Sequence, residues 1–368
     1  MKIFVDAYLL NKEHQGTKTY ISELYKEFAK TNKNSTIYFG CFFDLELEKE
    51  FVDCKNIKFI HFKQKSRVLR MFFEIPRLIK KHEFEYAHFQ YVIPFVRNKQ
   101  CKYIVTIHDV LFNDFKEYFS FLYRLKRNFL FKNSAKKSDY LLTVSQYSKK
   151  RIQKLYKLEY KEVYITPNGV REEYFEEYNQ LEVKKSIKRK YNIENYVLYV
   201  SRIEPRKNQQ ALLQLFLETK DKALQLVFIG DESLENIALK NKLVSITTLQ
   251  KQQIHFLKNI CDVDLLDFYR AAKVFVYPSL AEGFGIPPIE AAALKIPVLC
   301  SKNTAMKDFT FFKPYHIDMA DKNELKNKFR EMLVDINLER LVYIQNEIRN
   351  KYSWKFSSDV LTSIIYKN

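Results

Sequence analysis

The chain has 368 residues, which is long for one hydrophobic core and comfortable for two, so two domains are expected. It shows no long uncharged apolar segment and no secretion signal, which argues against a membrane-spanning or exported protein and predicts a cytoplasmic one. Its five cysteines form no C-x-x-C pair and are expected to be reduced thiols.

The formal net charge of +18 is unevenly distributed along the chain. Residues 51–150 hold 21 Lys and Arg against 8 Asp and Glu, a net charge of +13, whereas residues 201–300 hold 12 against 11, a net charge of +1. Between Tyr118 and Lys137, cations alternate with aromatic and leucine residues. Such a helix can lie on an anionic membrane, although a solvated basic face over an ordinary core has the same pattern. We predict a peripheral contact with the inner face of a membrane.

Short apolar runs recur through the first half and predict buried parallel strands that alternate with helices. The predicted strands are Lys2–Ala7, Thr36–Cys41, Ile57–Phe62, Tyr86–Phe89, Lys102–Ile107 and Tyr140–Val144. Gly16 lies where the loop after the first strand enters a helix, so it either permits close approach of a ligand or caps the helix. His108 follows the fifth strand, at an edge where ligands bind, yet a lone histidine there is commonly an ordinary hydrogen-bonded side chain.

An Asn-Gly turn at Asn168 and Gly169 closes the first half, which places the first domain at residues 1–170. Residues 171–195 are dense in charge and poor in apolar side chains, so they are predicted to be a linker. The second domain is expected at 196–350, followed by a C-terminal helix at 351–368.

The second domain opens with a predicted strand, Tyr196–Val200, followed within seven residues by the cations Arg202, Arg206 and Lys207. Cations at the carboxyl end of a strand, just before a helix, form a site for a diphosphate. There they would offset the charge that develops on a departing nucleotide diphosphate. The alternative is a surface turn with ordinary salt bridges.

A strand-loop-helix-strand unit extends from Val274 to Ser301. Its loop contains Glu282, Gly283, Phe284 and Gly285, and two prolines then suit the first turn of a helix. Glu290 is expected in that first turn, so the two glutamates would face one crevice and hold two parts of one ligand. Alternatively, the helix macrodipole alone favours a glutamate there, and the glycines only permit positive φ.

These residues resemble the motifs of the retaining, nucleotide-sugar-dependent glycosyltransferases of family 4, also called glycosyl transferases group 1. Glu282 and Glu290 match the E-x7-E segment of that family. Arg202 and Lys207 match its G-R-x-x-P-x-K segment, with serine in place of the glycine. Asp308 stands where the family's N-x-x-x-x-E segment has glutamate. The similarity is specific over about residues 196–310 and weaker in the first half.

The resemblance implies an α/β protein of the GT-B fold, with two Rossmann-like doubly wound domains facing a cleft and a C-terminal helix that crosses back to the first domain. It also implies transfer with retention of configuration. The implied catalytic residues are His108, Arg202, Lys207 and Glu282. The implied donor-binding residues are Gly16, Arg202, Arg206, Lys207, Glu282, Gly283, Phe284, Gly285 and Glu290.

The predicted function is transfer of a sugar from a GDP-mannose-like or UDP-sugar donor to a saccharide or lipid-linked saccharide acceptor, in bacterial surface polysaccharide or lipopolysaccharide synthesis. No cofactor and no metal are expected, because no D-x-D motif lies between a strand and a loop. Two alternatives stay open. One is a catalytically silent protein that binds nucleotide sugars, and the other is a basic nucleic-acid-binding protein, although no nucleic-acid-reading motif occurs.

Overall fold

The computed structural model describes residues 1–11 and 16–366, which form two compact units. The first contains Met1–Gly169 and the chain from Ser353 onward, and the second is Val170–Tyr352. The strands are β1 Lys2–Asp6, β2 Thr36–Cys41, β3 Ile57–His61, β4 Tyr86–Gln90, β5 Lys102–Thr106, β6 Tyr140–Thr143, β7 Val163–Ile165, β8 Tyr196–Val200, β9 Gln225–Ile229, β10 Ile254–Leu257, β11 Val274–Tyr277, β12 Val298–Ser301 and β13 His316–Ile317.

Helices connect these strands in both units, as the alternating pattern predicts. The α-helices are α1 Gly16–Thr31, α2 Leu45–Lys49, α3 Arg67–Leu69, α4 Ile75–His82, α5 Phe121–Lys137, α6 Gln146–Tyr156, α7 Gln180–Tyr191, α8 Gln209–Leu217, α9 Ile237–Ser245, α10 Thr248–Gln252, α11 Asp262–Ala271, α12 Ile286–Ala293, α13 Lys322–Val334, α14 Leu338–Lys351 and α15 Trp354–Tyr366. The predicted α/β class with two Rossmann-like sheets is confirmed.

The first unit is built on a parallel sheet with the strand order β3-β2-β1-β4-β5-β6-β7. Its central strands are apolar runs that are buried on both faces, as parallel strands covered by helices must be. The order reverses between β1 and β4, and ligands bind outside the carboxyl ends of strands at such a switch point. The first unit therefore has one ligand-binding edge set by its topology.

The C-terminal helix α15 packs within the first unit, as predicted. The hydroxyl of Tyr86 donates to the carbonyl oxygen of Ile365 over 2.8 Å, and the side-chain amide of Asn32 donates to the Thr362 hydroxyl over 3.0 Å. A Cβ atom at Gly169 would lie 2.4 Å from the backbone nitrogen of Trp354. Only glycine allows that close approach, which explains the glycine of the predicted Asn-Gly turn.

The second unit is built on a parallel sheet with the order β10-β9-β8-β11-β12-β13. Strands β8 and β11 are buried apolar runs at its centre. The order reverses between them, so the segments that follow β8 and β11 meet at the switch point. These are the two segments in which the sequence predicts the donor site.

Residues 171–195, which the sequence predicts as a linker, are a folded part of the second unit. They contain a 3-10 helix, Glu172–Phe175, and helix α7, which begins at an Asn179 cap. Within α7, Ile187 is the buried residue that anchors the helix, and Tyr191 packs on Phe268 of α11. Because a surface helix needs few apolar positions, its composition resembles that of a linker.

Candidate active site

The segments after β8 and β11 are bound directly to each other in the second unit. The backbone N–H of Leu280 donates to the carbonyl oxygen of Arg206 over 2.8 Å, and Nη1 of Arg206 donates to the carbonyl oxygen of Ala281 over 2.6 Å. Nδ2 of Asn208 donates to the carbonyl oxygen of Pro278 over 3.1 Å. These bonds bring the predicted cationic segment and the predicted carboxylate loop together.

Glu282 lies at the centre of this junction and is almost completely buried. Its Oε1 atom accepts hydrogen bonds from Nζ of Lys207 at 2.6 Å, from the Tyr277 hydroxyl at 2.9 Å and from the Ser279 hydroxyl at 2.7 Å. Nη1 of Arg206 lies 3.5 Å from Oε2. The buried carboxylate and the buried ammonium group of Lys207 therefore form one hydrogen-bonded ion pair.

The cations keep this carboxylate ionised. Burial by itself would raise the pKa of Glu282, but the charges of Lys207 and Arg206, with hydrogen bonds from Lys207 and Ser279, lower it to about 2. A buried ion pair of this kind is sensitive to the loss of either partner, because the remaining charge is then uncompensated. Replacing either Lys207 or Glu282 is therefore expected to lower the stability of the folded protein as well as to affect any chemistry at this site.

The three predicted cations have different surroundings. Arg206 is shared between two carboxylates, since its Nη2 donates to Oε1 of Glu204 over 2.7 Å. Arg202 is exposed, and its side chain makes no ion pair with any residue of the described chain. The sequence groups Arg202 with Lys207 as one cationic site. In the structure, Lys207 is bound to Glu282 and the guanidinium of Arg202 is free to meet an anion.

The loop between Glu282 and α12 presents backbone rather than side chains. The ring of Phe284 is buried against Phe309 and Tyr352, with centroid distances of 5.6 and 5.7 Å. Gly285 has a φ of 102° and caps α12, and a Cβ atom there would lie 3.1 Å from Cγ of Met306. This left-handed conformation favours glycine. The Phe284 side chain is an anchor, so any ligand contact of this segment is made by peptide N–H groups at the helix start.

Glu290 is the fifth residue of α12 and therefore lies in its second turn, not in the first turn as predicted. The Tyr269 hydroxyl donates to Oε2 of Glu290 over 3.0 Å. Burial raises the pKa of the Glu290 carboxyl to about 7, against the opposing effects of this hydrogen bond and of the Arg171 charge. The two glutamates thus differ: Glu282 is ionised and paired, whereas Glu290 exchanges a proton near neutral pH.

Glu290→Gln is expected to make the stability of the protein less dependent on pH. Because the folded state holds a proton on Glu290 up to about pH 7 and the unfolded state loses it near 4.5, wild type loses stability as the pH rises between these values. The variant avoids this loss, which amounts to about 3 kcal/mol. Melting temperatures of both proteins at pH 4.5 to 8 measure it. A difference between the two proteins that does not change with pH would contradict the assignment.

Three hydroxyl groups take part in this site without being singled out by the sequence. Tyr277 and Ser279 donate to Glu282, and the Thr304 hydroxyl accepts a hydrogen bond from the backbone N–H of Glu282 over 2.8 Å. The sequence signal that could have identified them is their position, since Tyr277 is the last residue of β11 and Ser279 lies two residues beyond it. Thr304 lies in the segment that resembles N-x-x-x-x-E. Hydroxyl side chains at such strand ends are candidates for holding a buried carboxylate.

The first unit holds the other two predicted site residues, His108 and Gly16. Nε2 of His108 lies 2.9 Å from Oε1 of Gln90, and the imidazole contacts the rings of Tyr20 and Tyr91. Burial lowers the pKa of His108 to about 3, so the ring is neutral at physiological pH. Gly16 is exposed at the first position of α1. His108 is therefore a neutral, oriented imidazole behind the carboxyl edge of the sheet.

No metal-ligating arrangement occurs in the part of the chain that the structure describes: no three His, Cys, Asp or Glu side chains converge there as ligands would. The two carboxylates that open α11 are bound to cations, Asp262 to Arg171 and Asp264 to Lys190. All five cysteines are free, as the sequence predicts. The charged groups at the β8–β11 switch point are three cations, Arg202, Arg206 and Lys207, and two carboxylates that are paired with them, Glu204 and Glu282.

Two family models match this chain. Residues 14–174 match the model described as Glycosyltransferase Family 4, and residues 182–349 match the model described as Glycosyl transferases group 1. The chain is 30% identical over 211 residues to the O-antigen chain mannosyltransferase RfbU of Salmonella typhimurium, which covers 57% of this chain and 54% of that protein. The chain thus spans about half the length of the curated relatives it matches.

Solved structures match the whole length of the chain at low sequence identity. Sucrose-phosphate synthase from Thermosynechococcus elongatus matches with a TM-score of 0.78 and 16% identity, over 100% of this chain and 98% of that chain. Anabaena HepE in complex with UDP-glucose matches with a TM-score of 0.75 and 15% identity, over 100% and 99%. At these identities the similarity establishes the fold.

Proposed function

This chain belongs to the glycosyltransferases of family 4 and has their GT-B fold, and on that premise we propose that it transfers a sugar from a nucleotide diphosphate sugar to a saccharide acceptor with retention of configuration. The observation that carries the proposal is the network of Lys207, Arg206 and Glu282 at the β8–β11 switch point, with the exposed Arg202 beside it. A topological switch point with excess positive charge suits a diphosphate.

Each residue of this network has a distinct role in the proposal. Arg202 and Lys207 stabilise the negative charge of the departing nucleotide diphosphate, and Glu282 positions Lys207 while its free lone pairs meet the donor sugar. The peptide N–H groups of Phe284 and Gly285 bind oxygen atoms of the donor at the start of α12. Glu290 binds the nucleotide ribose, and the neutral His108 contacts the reacting sugar.

The names of two similar proteins indicate which class of substrates to propose for this chain. RfbU is named as an O-antigen chain mannosyltransferase and CapM of Staphylococcus aureus as a capsular polysaccharide biosynthesis glycosyltransferase. These names support transfer of mannose or another sugar in surface polysaccharide or lipopolysaccharide synthesis, and for that process we propose a GDP-mannose-like or UDP-sugar donor and a saccharide or lipid-linked saccharide acceptor. A catalytically silent nucleotide-sugar binder would have the same site without turnover, so activity assays separate the two.

A thermal-shift panel tests the donor assignment. UDP, GDP, TDP, ADP and their sugars are added to wild type and to Arg202→Ala, because a ligand that binds only the folded state raises the melting temperature by mass action. We expect one nucleotide to stabilise wild type, and its sugar to do so at least as strongly, with both effects reduced in the variant. A melting temperature that no nucleotide changes would contradict the proposal of a nucleotide-sugar donor.

We also propose that no metal ion is required, because cationic side chains supply the charge that a metal would provide beside the diphosphate. To test this, EDTA is added to the protein together with the nucleotide that binds best, and the melting temperature and the turnover are both measured. The melting temperature and turnover should not change. Loss of both on chelation, restored by magnesium or manganese, would overturn metal independence.

An exposed apolar stripe on α5 supports a peripheral membrane contact. Phe121, Leu122, Leu125 and Phe129 recur at helical spacing and are 56 to 75% exposed. Exposed lysines interleave with them at positions 126, 132 and 136. The sequence predicts that most of the apolar residues between the cations line the core, but the structure leaves these four exposed. Within the described residues, no helix is long and apolar enough to cross a membrane. We therefore propose that α5 lies on the anionic inner face of a membrane.

Vesicle co-sedimentation tests this surface. Lys126→Glu with Lys132→Glu should weaken binding to anionic vesicles at least 10-fold, because each basic residue near such a surface contributes about 1 kcal/mol. Leu122→Ser with Phe129→Ser should also weaken binding. Leu249→Ser, which removes an equally exposed leucine from α10, is the matched control and should change nothing. If wild type does not bind anionic vesicles at low salt, α5 is a solvated face and the membrane proposal fails.

A further inference from the structure

The carboxyl edge of the first unit holds a buried carboxyl group that the donor chemistry of the second unit does not use. Asp6 is the last residue of β1, at the switch point between β1 and β4. It is 2% exposed, and within the described residues its Oδ1 atom has no hydrogen-bond partner. Burying a carboxyl oxygen without a donor is costly, and a ligand hydroxyl that donates to it would remove that cost.

Two arginines from a distorted helix lie close to Tyr8, two residues after Asp6, and their charges lower the pKa of the Asp6 carboxyl against the larger opposite effect of burial. A π-helical turn, Arg70–Glu74, separates α3 from α4, and such turns are frequent at functional sites. The buried guanidinium of Arg70 is fixed by the carbonyl oxygens of Gln64 and Lys65 at 3.0 and 2.8 Å. Arg67 and Arg70 both lie over the ring of Tyr8, at 5.4 and 5.2 Å from its centroid.

A third arginine, Arg127 of α5, is connected to this edge through packed aromatic rings. Its guanidinium lies over the ring of Phe131 at 5.6 Å, and Phe131 in turn stacks on Tyr91, which follows β4. Burial raises the pKa of the Tyr8 hydroxyl, and the charges of Arg67, Arg70 and Arg127 oppose that rise. Neither Arg67 nor Arg127 makes an ion pair anywhere in residues 1–11 and 16–366.

We propose that Asp6, Arg67 and Arg127 form a subsite for the acceptor, and that the acceptor is a sugar that carries a phosphate group. The proposal rests on the proposed function, since it assigns the second substrate. Among the described residues, the arginines whose charges act on Tyr8 outnumber the carboxylates, and guanidinium groups bind phosphate oxygens in a bidentate manner. Asp6 accepts a hydrogen bond from a hydroxyl of the same sugar, and Arg70 positions Arg67 and Tyr8. A free sugar phosphate and a lipid-linked sugar diphosphate present this same chemistry.

Calorimetric titration of the full-length protein tests the subsite with three probes: glucose 1-phosphate, inorganic phosphate and methyl glucoside. Glucose 1-phosphate should bind wild type at least 10-fold more tightly than methyl glucoside. Arg67→Gln and Arg127→Gln should each remove most of that advantage, whereas Arg77→Gln, an exposed arginine of α4, should not. Asp6→Asn should weaken the binding of glucose 1-phosphate roughly 10-fold, as expected for loss of one charge-assisted hydrogen bond. It should leave the binding of inorganic phosphate unchanged.

Equal binding of the phosphorylated and neutral sugars would overturn the subsite, and so would an equal effect of Arg77→Gln. A lipid-linked sugar diphosphate that binds in a way sensitive to Arg67→Gln, while glucose 1-phosphate does not, would identify the lipid-linked form as the source of the phosphate. Failure of the acceptor subsite can be distinguished from failure of the proposed function. If nucleotides raise the melting temperature of wild type and of Arg67→Gln equally while neither glucose 1-phosphate nor a lipid-linked sugar diphosphate binds, the donor site stands and the acceptor subsite is wrong.

Discussion

Lys207→Ala is expected to lower the rate of sugar transfer about 100-fold and to destabilise the second unit. Losing one preorganised electrostatic contact to a departing group costs on the order of 3 kcal/mol of transition-state stabilisation. From sequence alone the effect would fall on transfer rather than on folding. The structure adds a folding cost of about 3 kcal/mol or more, because the variant leaves the buried Glu282 carboxylate without its main partner.

Arg202→Ala separates the two effects. Its exposed guanidinium makes no ion pair with the described residues, so the variant should lose transfer without losing stability. Steady-state kinetics are measured at a temperature at which circular dichroism shows all variants folded. Wild-type turnover in both Lys207→Ala and Arg202→Ala would mean that neither side chain meets the diphosphate.

Glu282→Gln is expected to abolish most activity and to destabilise the protein at neutral pH by about 3 kcal/mol, since it leaves the buried Lys207 without its anion. The pKa of Glu282 is about 2 in the folded state, against an ordinary value of 4.5. Its contribution to stability is therefore present above about pH 4.5 and is lost as the pH falls from there toward 2.

The melting temperatures of wild type and Glu282→Gln should therefore converge as the pH falls below 4.5, while those of wild type and Glu290→Gln diverge between pH 4.5 and 7. The isosteric amides make each a matched control for the other. A constant gap for Glu282→Gln between pH 7 and 3 would show that Lys207 does not depend on the ionised carboxylate.

Much of this architecture is predictable from the sequence because buried parallel strands are continuous apolar runs. The run Tyr196–Val200 is β8 in the structure with the same bounds, and Val274–Tyr277 is β11. Once both runs are assigned to neighbouring strands, the residues that follow them must meet at one edge. That is why Lys207 and Glu282 are predictable as neighbours.

Other features depend on contacts that no local pattern contains. The ion pair between Lys207 and Glu282 joins residues 75 positions apart. The sequence therefore suggests that both residues belong to one site, but not that their side chains bind each other. The sequence does not predict helix α7, because its single buried residue, Ile187, gives almost no apolar periodicity. The short strand β13, of two residues, is defined by its pairing with β12 and lies below any detectable periodicity.

The most direct test of the central claim is the proton NMR spectrum of a reaction that contains wild-type protein, the nucleotide sugar that stabilises it best and a saccharide acceptor. The donor's anomeric proton signal should disappear as a product signal of the same anomeric configuration and free nucleoside diphosphate appear, with Arg202→Ala at least 100-fold slower. A nucleotide sugar that binds but stays intact with every acceptor would contradict the account and leave a silent nucleotide-sugar-binding protein.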